Sequence, residues 1–266
     1  MHVIAVLGAG VMGETLLSGL IRAGRRVDDL LIAEKRSARA QELRERYGVE
    51  VLDPIEAAKR ADTLLLVVKP QDMAGLLDTV AGAIKQDALV VSLAAGISTQ
   101  YLESRLPSGT SVVRVMPNTP ALVDEGMAAL SPGAHCSEEQ LDHAESLLQA
   151  VGKTVRIAEH LQDAVTAISG SGPAYIFFVV EAMIEAGVHL GLPRTMATEL
   201  VVQTAYGAAT MLRETHEHPT VLREQVTSPA GTTAAALREL EVHRVRAAFL
   251  SAMEAARDRS RELGRA

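Results

Sequence analysis

The chain has 266 residues, 48% of them hydrophobic and 22% charged, enough for one large or two modest globular domains and too apolar for a disordered chain. Aromatic residues make up only 3%, Trp is absent and the net charge is −7, which excludes a base-stacking platform or a general nucleic-acid binder. One cysteine, Cys136, rules out an intramolecular disulfide; with no apolar run near the roughly 20 residues of a membrane span and no signal-peptide pattern, a cytoplasmic, non-membrane protein is expected.

In chain order, residues 2–7 form a nearly continuous apolar run, the pattern of a central strand buried on both faces. Glycines follow, then a predicted helix over residues 12–23 closed by Gly24. Residues 30–34 read as a second strand, 37–47 as a helix with Ser37 at its N-cap, and 49–51 as a short strand. Asp53-Pro54-Ile55-Glu56 combines an N-cap, a first-turn proline and a capping-box glutamate. Further strands are predicted at residues 63–68, 89–93, 111–116 and 126–131. Ser137-Glu138-Glu139-Gln140 opens a helix with a second capping box, and residues 154–157 close the sheet. After Leu161 strand signals fade and Ala-rich helical patterns take over, broken at Gly191-Leu192-Pro193, His218-Pro219 and Ser228-Pro229-Ala230-Gly231. The expected architecture is an α/β Rossmann-type N-terminal domain, residues 1–160, followed by an all-α C-terminal domain, residues 161–266.

Gly8-Ala9-Gly10-Val11-Met12-Gly13 fits the dinucleotide-binding fingerprint, and it sits where the mechanism requires, after a strand and opening a helix. The first glycine permits the tight turn, the second lets a pyrophosphate reach the backbone, and the third lets helix and strand pack closely. The helix N-terminus supplies N–H donors to the phosphates. Glu34 lies 21 residues beyond Gly13 (34 − 13), where an acid would hold the ribose 2′-hydroxyl of NAD. Lys35, Arg36 and Arg39 follow at once and suit the 2′-phosphate of NADP. These signals conflict; the cations tip the expectation towards NADP, with NAD as the alternative, and Glu34 would then turn outward or pair with an arginine.

Several catalytic devices are missing from the second half. There is no Tyr-x-x-x-Lys, and no lysine follows Lys153, so no helical-domain lysine can act as acid, base or Schiff-base nucleophile. The histidines form no metal set, and no metal site is expected. Two segments are unusual. Ser169-Gly170-Ser171-Gly172-Pro173-Ala174-Tyr175 places small residues in a helical pattern, either for close helix approach or for a small substrate against bare backbone. Thr227-Ser228-Pro229-Ala230-Gly231-Thr232-Thr233 reads as a turn feeding a helix N-terminus; either Thr232 or a neighbour caps that helix, or the loop binds a carboxylate.

At these residues the chain resembles the Δ1-pyrroline-5-carboxylate reductase family, end to end. The resemblance rests on the glycine loop, Val67-Val68-Lys69-Pro70, Ala94-Ala95-Gly96, Arg114-Val115-Met116-Pro117-Asn118-Thr119-Pro120, Asp163-Ala164-Val165-Thr166 leading into the small-residue segment, and most specifically residues 226–237 followed by Leu240-Glu241. Ala230 departs from it, since the family usually has Gly there, and a positive φ would be uncomfortable for Ala.

The resemblance implies NAD(P)H-dependent reduction of a small cyclic imine carboxylate, 1-pyrroline-5-carboxylate, to L-proline in proline biosynthesis. It also implies that the helical domain is a dimerisation domain, that each active site uses parts of two subunits, and that dimers of this kind assemble into rings of five. By the same resemblance Ser228 with the amides of Gly231 and Thr232 would hold the substrate carboxylate, and the Thr233 hydroxyl, the catalytic group, would hydrogen-bond the ring nitrogen. Glu159 matches an acid near the substrate. Gly8, Ala9, Gly10, Val11, Met12 and Gly13, then Glu34, Lys35 and Arg36, then Val68, Lys69 and Pro70, with Ala94, Ala95 and Asn118, would line the cofactor. Two other functions stay open on the sequence: a related imine or keto-acid reductase with another substrate, and a non-catalytic NADP-binding sensor.

Overall fold

A computed structural model describes residues 2–264. The chain forms two compact units, one holding everything up to Ser171 together with Ala256 onward, the other Gly172–Ala255.

The first unit is a sheet built from apolar runs that no helix would leave intact. In chain order it contains β1 (Ile4–Leu7), α1 (Val11–Arg22), β2 (Leu30–Ala33), α2 (Ser37–Tyr47), β3 (Glu50–Val51), α3 (Pro54–Arg60), β4 (Thr63–Leu66), α4 (Pro70–Val80), β5 (Leu89–Ser92), α5 (Thr99–Arg105), β6 (Ser111–Met116), β7 (Gly126–Pro132), α6 (Glu138–Leu148) and β8 (Gly152–Arg156). Every residue of β1, β2, β4 and β5 is buried. Successive residues serve opposite faces: Ile4 and Val6 pack with Leu16, Leu17 and Leu20 of α1, while Ala5 and Leu7 pack with Ala57 of α3 and Met73 and Leu77 of α4. Strand order is β3-β2-β1-β4-β5-β6-β7-β8, parallel except for the antiparallel β6–β7 pair. The order reverses between β1 and β4, so the loops at their carboxyl ends diverge and open a crevice, the usual ligand position in such sheets.

The helix starts follow the capping chemistry in two of three predicted places. Asp53 accepts the N–H groups of Ile55 and Glu56, but the Glu56 carboxylate pairs with Lys59 and closes no capping box, whereas Ser137 with Gln140 does close a reciprocal one. Ser37 does not cap α2. Arg36 takes the extended N-cap conformation, no side chain caps the helix, and Ser37 is its first helical residue. The reason is local: the Glu34 carboxylate accepts the Arg36 N–H at 3.0 Å, which fixes Arg36 as the last non-helical residue.

Beyond β8 the first unit continues through α7 (Gln162–Val165) and a π-helical turn at Thr166–Gly170. The first compact unit thus extends to Ser171 before the long helices of the second begin. Gln162, fully buried, donates to the Ala129 carbonyl and the Ser131 hydroxyl and so ties this segment to β7.

The second unit is helical: α8 (Gly172–His189), α9 (Arg194–Thr215), α10 (Pro219–Gln225), α11 (Thr232–Val242) and most of α12 (Val245–Leu263). α8 and α9 pack where Gly187 meets Ala197. None of α8 is buried, and in α9 only Ala197 is. Phe177, Phe178, Tyr206 and Leu250 are each more than 60% exposed (66, 71, 63 and 69%), so the second unit leaves large apolar side chains uncovered in the single chain. The helical stretch Glu159–His189 is long and apolar enough to cross a membrane by length and composition alone, a test that the core helix of a soluble protein also passes.

Candidate active site

The turn after β1 is shaped by steric demands that only glycine meets. Gly8 has φ +96°, and a side chain there would sit 2.7 Å from the Val67 carbonyl oxygen and 2.9 Å from Val68 Cγ1. A Cβ on Gly13 would collide with the Gly8 carbonyl. Gly10 differs: it is the N-cap of α1, no side chain caps the helix, and the space where its Cβ would project is empty to 4 Å. The result is a bare backbone face above a twelve-residue helix whose first N–H groups lack a side-chain acceptor, which fits a pyrophosphate. Ala9 is buried and Val11 exposed at the mouth of this turn. Met12 lines a narrow crevice together with Pro117 and Asn118.

Glu34, just past β2, turns inward. Its carboxylate accepts the Ala9 N–H at 3.1 Å and pairs with the Arg36 guanidinium at 2.9 Å. Burial pushes its pKa up, but the Arg36 guanidinium and the N–H bonds from Arg36 and Ala9 outweigh burial and hold it below the ordinary carboxylate range. The other cations are engaged too. Lys35, largely exposed, pairs with Asp72 at 3.2 Å, and Arg39 pairs with Glu14 and Glu42 while donating to the Ala9 carbonyl. Of the two outcomes foreseen for Glu34, pairing with an arginine is the one observed.

The remaining predicted cofactor residues occupy the carboxyl ends of neighbouring parallel strands. Val68 and Lys69 follow β4; Lys69 is the exposed N-cap of α4 and Pro70 its first residue. Ala94, buried, and Ala95, exposed, follow β5. Asn118 follows β6, and its amide is used at both ends: Oδ1 accepts the Met127 N–H at 2.8 Å, and Nδ2 donates to the Ser169 carbonyl at 3.2 Å. The small-residue segment thus begins as a π-turn held by Asn118, and a side chain on Gly170 would strike Met116.

Glu159 stands on a short turn after β8. One carboxylate oxygen accepts the Thr99 N–H at 2.7 Å and the Arg114 guanidinium at 3.3 Å; the other accepts the Thr99 hydroxyl at 2.6 Å. Sequence reasoning missed both partners. Arg114 did carry a signal: a cation in the middle of the apolar strand Ser-Val-Val-Arg-Val-Met requires an anion close by, since arginine is almost never buried unpaired.

In the second unit, α11 starts at Thr232 with Gly231 as N-cap and no side chain bonded to the helix start, so capping by Thr232 does not occur. Ala230 has φ +56°, the left-handed conformation that disfavours a Cβ, and Gly231 donates to the Ser228 carbonyl at 3.1 Å. A side chain on Gly231 would collide with the Ser228 hydroxyl, so that hydroxyl lies directly over the bare backbone at the helix start. The hydroxyls of Thr198, Thr204, Thr215 and Thr227 each donate to the carbonyl four residues back. Thr233, in the first turn of α11, does not spend its hydroxyl that way. Uncapped amides and two uncommitted hydroxyls suit a small ligand with a carboxylate and a polar nitrogen. Among the described residues no group of three His, Cys, Asp or Glu side chains is placed to hold a metal ion.

Residues 159–263 match the family described as pyrroline-5-carboxylate reductase dimerisation, and residues 3–96 match NADP oxidoreductase, coenzyme F420-dependent. The chain is 48% identical to pyrroline-5-carboxylate reductase of Corynebacterium melassecola, covering 100% of both chains. The solved pyrroline-5-carboxylate reductase of Coxiella burnetii superposes with a TM-score of 0.93 at 35% identity, over 98% of this chain and 97% of that one. Plasmodium falciparum pyrroline carboxylate reductase with NADP bound gives 0.88 at 28% identity, over 99% and 98%.

Proposed function

The chain belongs to the pyrroline-5-carboxylate reductase family, and from that premise we propose how its own residues carry out the NAD(P)H-dependent reduction of 1-pyrroline-5-carboxylate to L-proline. The observation that carries the proposal is the start of α11, which no side chain caps and over which the Ser228 hydroxyl lies, with Thr233 in the first turn. The Thr232 amide and the Ser228 hydroxyl hold the substrate carboxylate, aided by the positive end of the helix dipole, and the Gly231 amide joins them by exchanging its bond to the Ser228 carbonyl for one to the ligand. The Thr233 hydroxyl accepts a hydrogen bond from the protonated ring nitrogen and so favours the iminium form, the better hydride acceptor. When bound, the reduced nicotinamide supplies the hydride that the ring carbon takes up.

The chain's other contribution is placement. Gly8 and Gly13 let the turn and α1 pack, Gly10 leaves the pyrophosphate access to the α1 N-terminus, and Val68, Lys69, Pro70, Ala94, Ala95 and Asn118 stand at adjacent strand ends along the crevice. Glu159 is left out of the substrate set, because both of its carboxylate oxygens already serve Thr99 and Arg114. An iminium needs little acid catalysis, which is consistent with a second half without lysine; position and electrostatics do most of the work.

The helical part also serves assembly. Uncovered Phe177 and Phe178 on α8 and Tyr206 on α9 support a homodimer in which a second copy covers these faces, with rings of five dimers as the larger assembly. The unpaired Cys136 suits a cytoplasmic enzyme. The test is direct: purified protein consumes NADPH or NADH, read by loss of reduced-nicotinamide absorbance, when pyrroline-5-carboxylate is added. A folded sample that turns over neither cofactor refutes the reading.

A further inference from the structure

Residues 93–98 connect β5 to α5 and carry Ala94 and Ala95. Strand pairing fixes the near end of this loop: the Leu93 N–H donates to the Leu66 carbonyl at 3.0 Å. The far end is held by something other than the sheet. Thr99, 6% exposed, opens α5, and its N–H is one of the orphan donors of that helix. Ser98 caps the Tyr101 N–H, which leaves the Thr99 N–H for Glu159, sixty residues away in sequence. The Glu159 carboxylate takes the backbone N–H and the hydroxyl of the same residue, so it specifies both the position and the rotamer of Thr99. Arg114, on the strand beside β5, anchors the carboxylate from the other side with a side chain only 10% exposed.

The same segment reaches the loop a second way. Asp163, four residues after Glu159, accepts the Ser260 hydroxyl at 2.7 Å. Ser260 belongs to the last turns of α12, whose end at Gly264 lies against Gly96, the left-handed apex of the loop: a Cβ on Gly96 would be 3.3 Å from the Gly264 nitrogen. Residues 159–163 thus reach this connection twice: directly through Glu159 on Thr99, and indirectly through Asp163, Ser260 and the chain just past α12 on Gly96.

We propose that Glu159 is a positioning residue for the nicotinamide cofactor, acting through Thr99 on the Ala94–Ala95 backbone, and not a ligand of the imine substrate. This rests on the reading above that Ala94 and Ala95 contact the cofactor. A carboxylate is required because two acceptor oxygens must meet two donors of one residue while a guanidinium is neutralised; an amide offers one acceptor and turns an NH2 group towards Arg114 or Thr99.

The experiment measures NADPH affinity by direct titration without substrate, beside KM for the imine carboxylate, in Glu159→Ala, Thr99→Val, Thr99→Ser and the Glu159→Ala/Thr99→Val double variant. Thr99→Val keeps the shape and the N–H and loses the hydroxyl, so it reports even if Glu159→Ala folds poorly. The expected result is NADPH binding weakened roughly 10- to 100-fold by Glu159→Ala, the range for a misplaced site element. Thr99→Val should show a smaller loss, Thr99→Ser should bind like the parent, the double variant should be no worse than Glu159→Ala, and KM for the imine should stay within about twofold. The proposal is overturned if Glu159→Ala keeps its NADPH affinity and raises only the imine KM, if Thr99→Ser is as impaired as Thr99→Val, or if the two losses add. Ala95→Leu separates this from a failure of the underlying reading: unchanged NADPH affinity in that variant would show that the loop is no cofactor contact, whatever Glu159 does.

Discussion

Replacing Gly10 by alanine separates cofactor binding from folding, because the new methyl has room in the protein and none against a phosphate. Gly10 has φ −66°, which alanine adopts freely, and a Cβ there meets nothing within 4 Å. The stability cost is then only the N-cap preference of glycine over alanine, about 0.5–1 kcal/mol, a fall in Tm of about 1–4 °C for a protein of this size. For the cofactor the same methyl fills the space through which the pyrophosphate approaches the α1 amides. Losing even one charge-assisted hydrogen bond costs about 1.5–3 kcal/mol, which is roughly a 10- to 150-fold rise in Kd. Gly13→Ala is the contrast. Its Cβ would collide with the Gly8 carbonyl, a backbone atom that cannot rotate away, so overpacking should cost about 1–3 kcal/mol of stability in addition to affinity. Titration with NADPH and thermal unfolding of both variants test this. Parental affinity in Gly10→Ala, or equal destabilisation in the two variants, would refute the assignment of Gly10 to the phosphate cradle.

Three further outcomes are expected. Thr233→Val should lower kcat/KM by about 1–3 kcal/mol of transition-state binding, roughly 5- to 150-fold, while leaving Tm unchanged; an unaltered rate removes the hydroxyl from the chemistry. Phe177→Asp, placing a charge on the uncovered face of α8, should shift the protein to smaller species in sedimentation velocity; an unchanged distribution means that this face is not an assembly surface. Burial first, then the charges of His2 and Arg25, push the His143 pKa down from 6.5 to about 4. The unfolded chain therefore takes up this proton first as pH falls, so its contribution to stability is full above about pH 6.5 and declines towards pH 4, by an amount reduced by solvent screening because the ring is half-exposed. Urea midpoints between pH 7 and 4.5 should show a shallower decline in His143→Gln, and parallel curves would exclude the residue.

What the sequence made legible follows from how local each signal is. The strands β1, β2, β4 and β5 announce themselves because burial on both faces demands uninterrupted apolar runs, and the glycine turn does so because two steric limits, at Gly8 and Gly13, and one open approach, at Gly10, fall within six residues. The Ser37 cap failed because Glu34, three residues earlier, competes for the same stretch of backbone; a capping rule that looks only at Ser37 cannot see a carboxylate already bonded to the Arg36 N–H. The weak point in unit two is of a different kind. α8 is apolar around much of its circumference, so periodicity cannot single out an inward face, and in the chain by itself there is none.

The conflict between Glu34 and the cations beside it also takes physical form in the structure. As a sequence, Glu34 speaks for a ribose hydroxyl and Lys35, Arg36 and Arg39 for a phosphate, as though one set must be idle. In the folded chain they are partners: Arg36 neutralises Glu34, Lys35 meets Asp72, and Arg39 meets Glu14 and Glu42. A 2′-phosphate arriving here must take a cation from an existing carboxylate, so its gain is the difference between two ion pairs. Arg36 is the one whose release would also free Glu34, which remains bonded to the Ala9 N–H and able to receive a ribose hydroxyl. The most exposed of these cations, Lys35 and Arg36, are the ones a 2′-phosphate would draw on first. A modest preference between NADPH and NADH, sensitive to ionic strength, follows from that arrangement more naturally than strict selection of either.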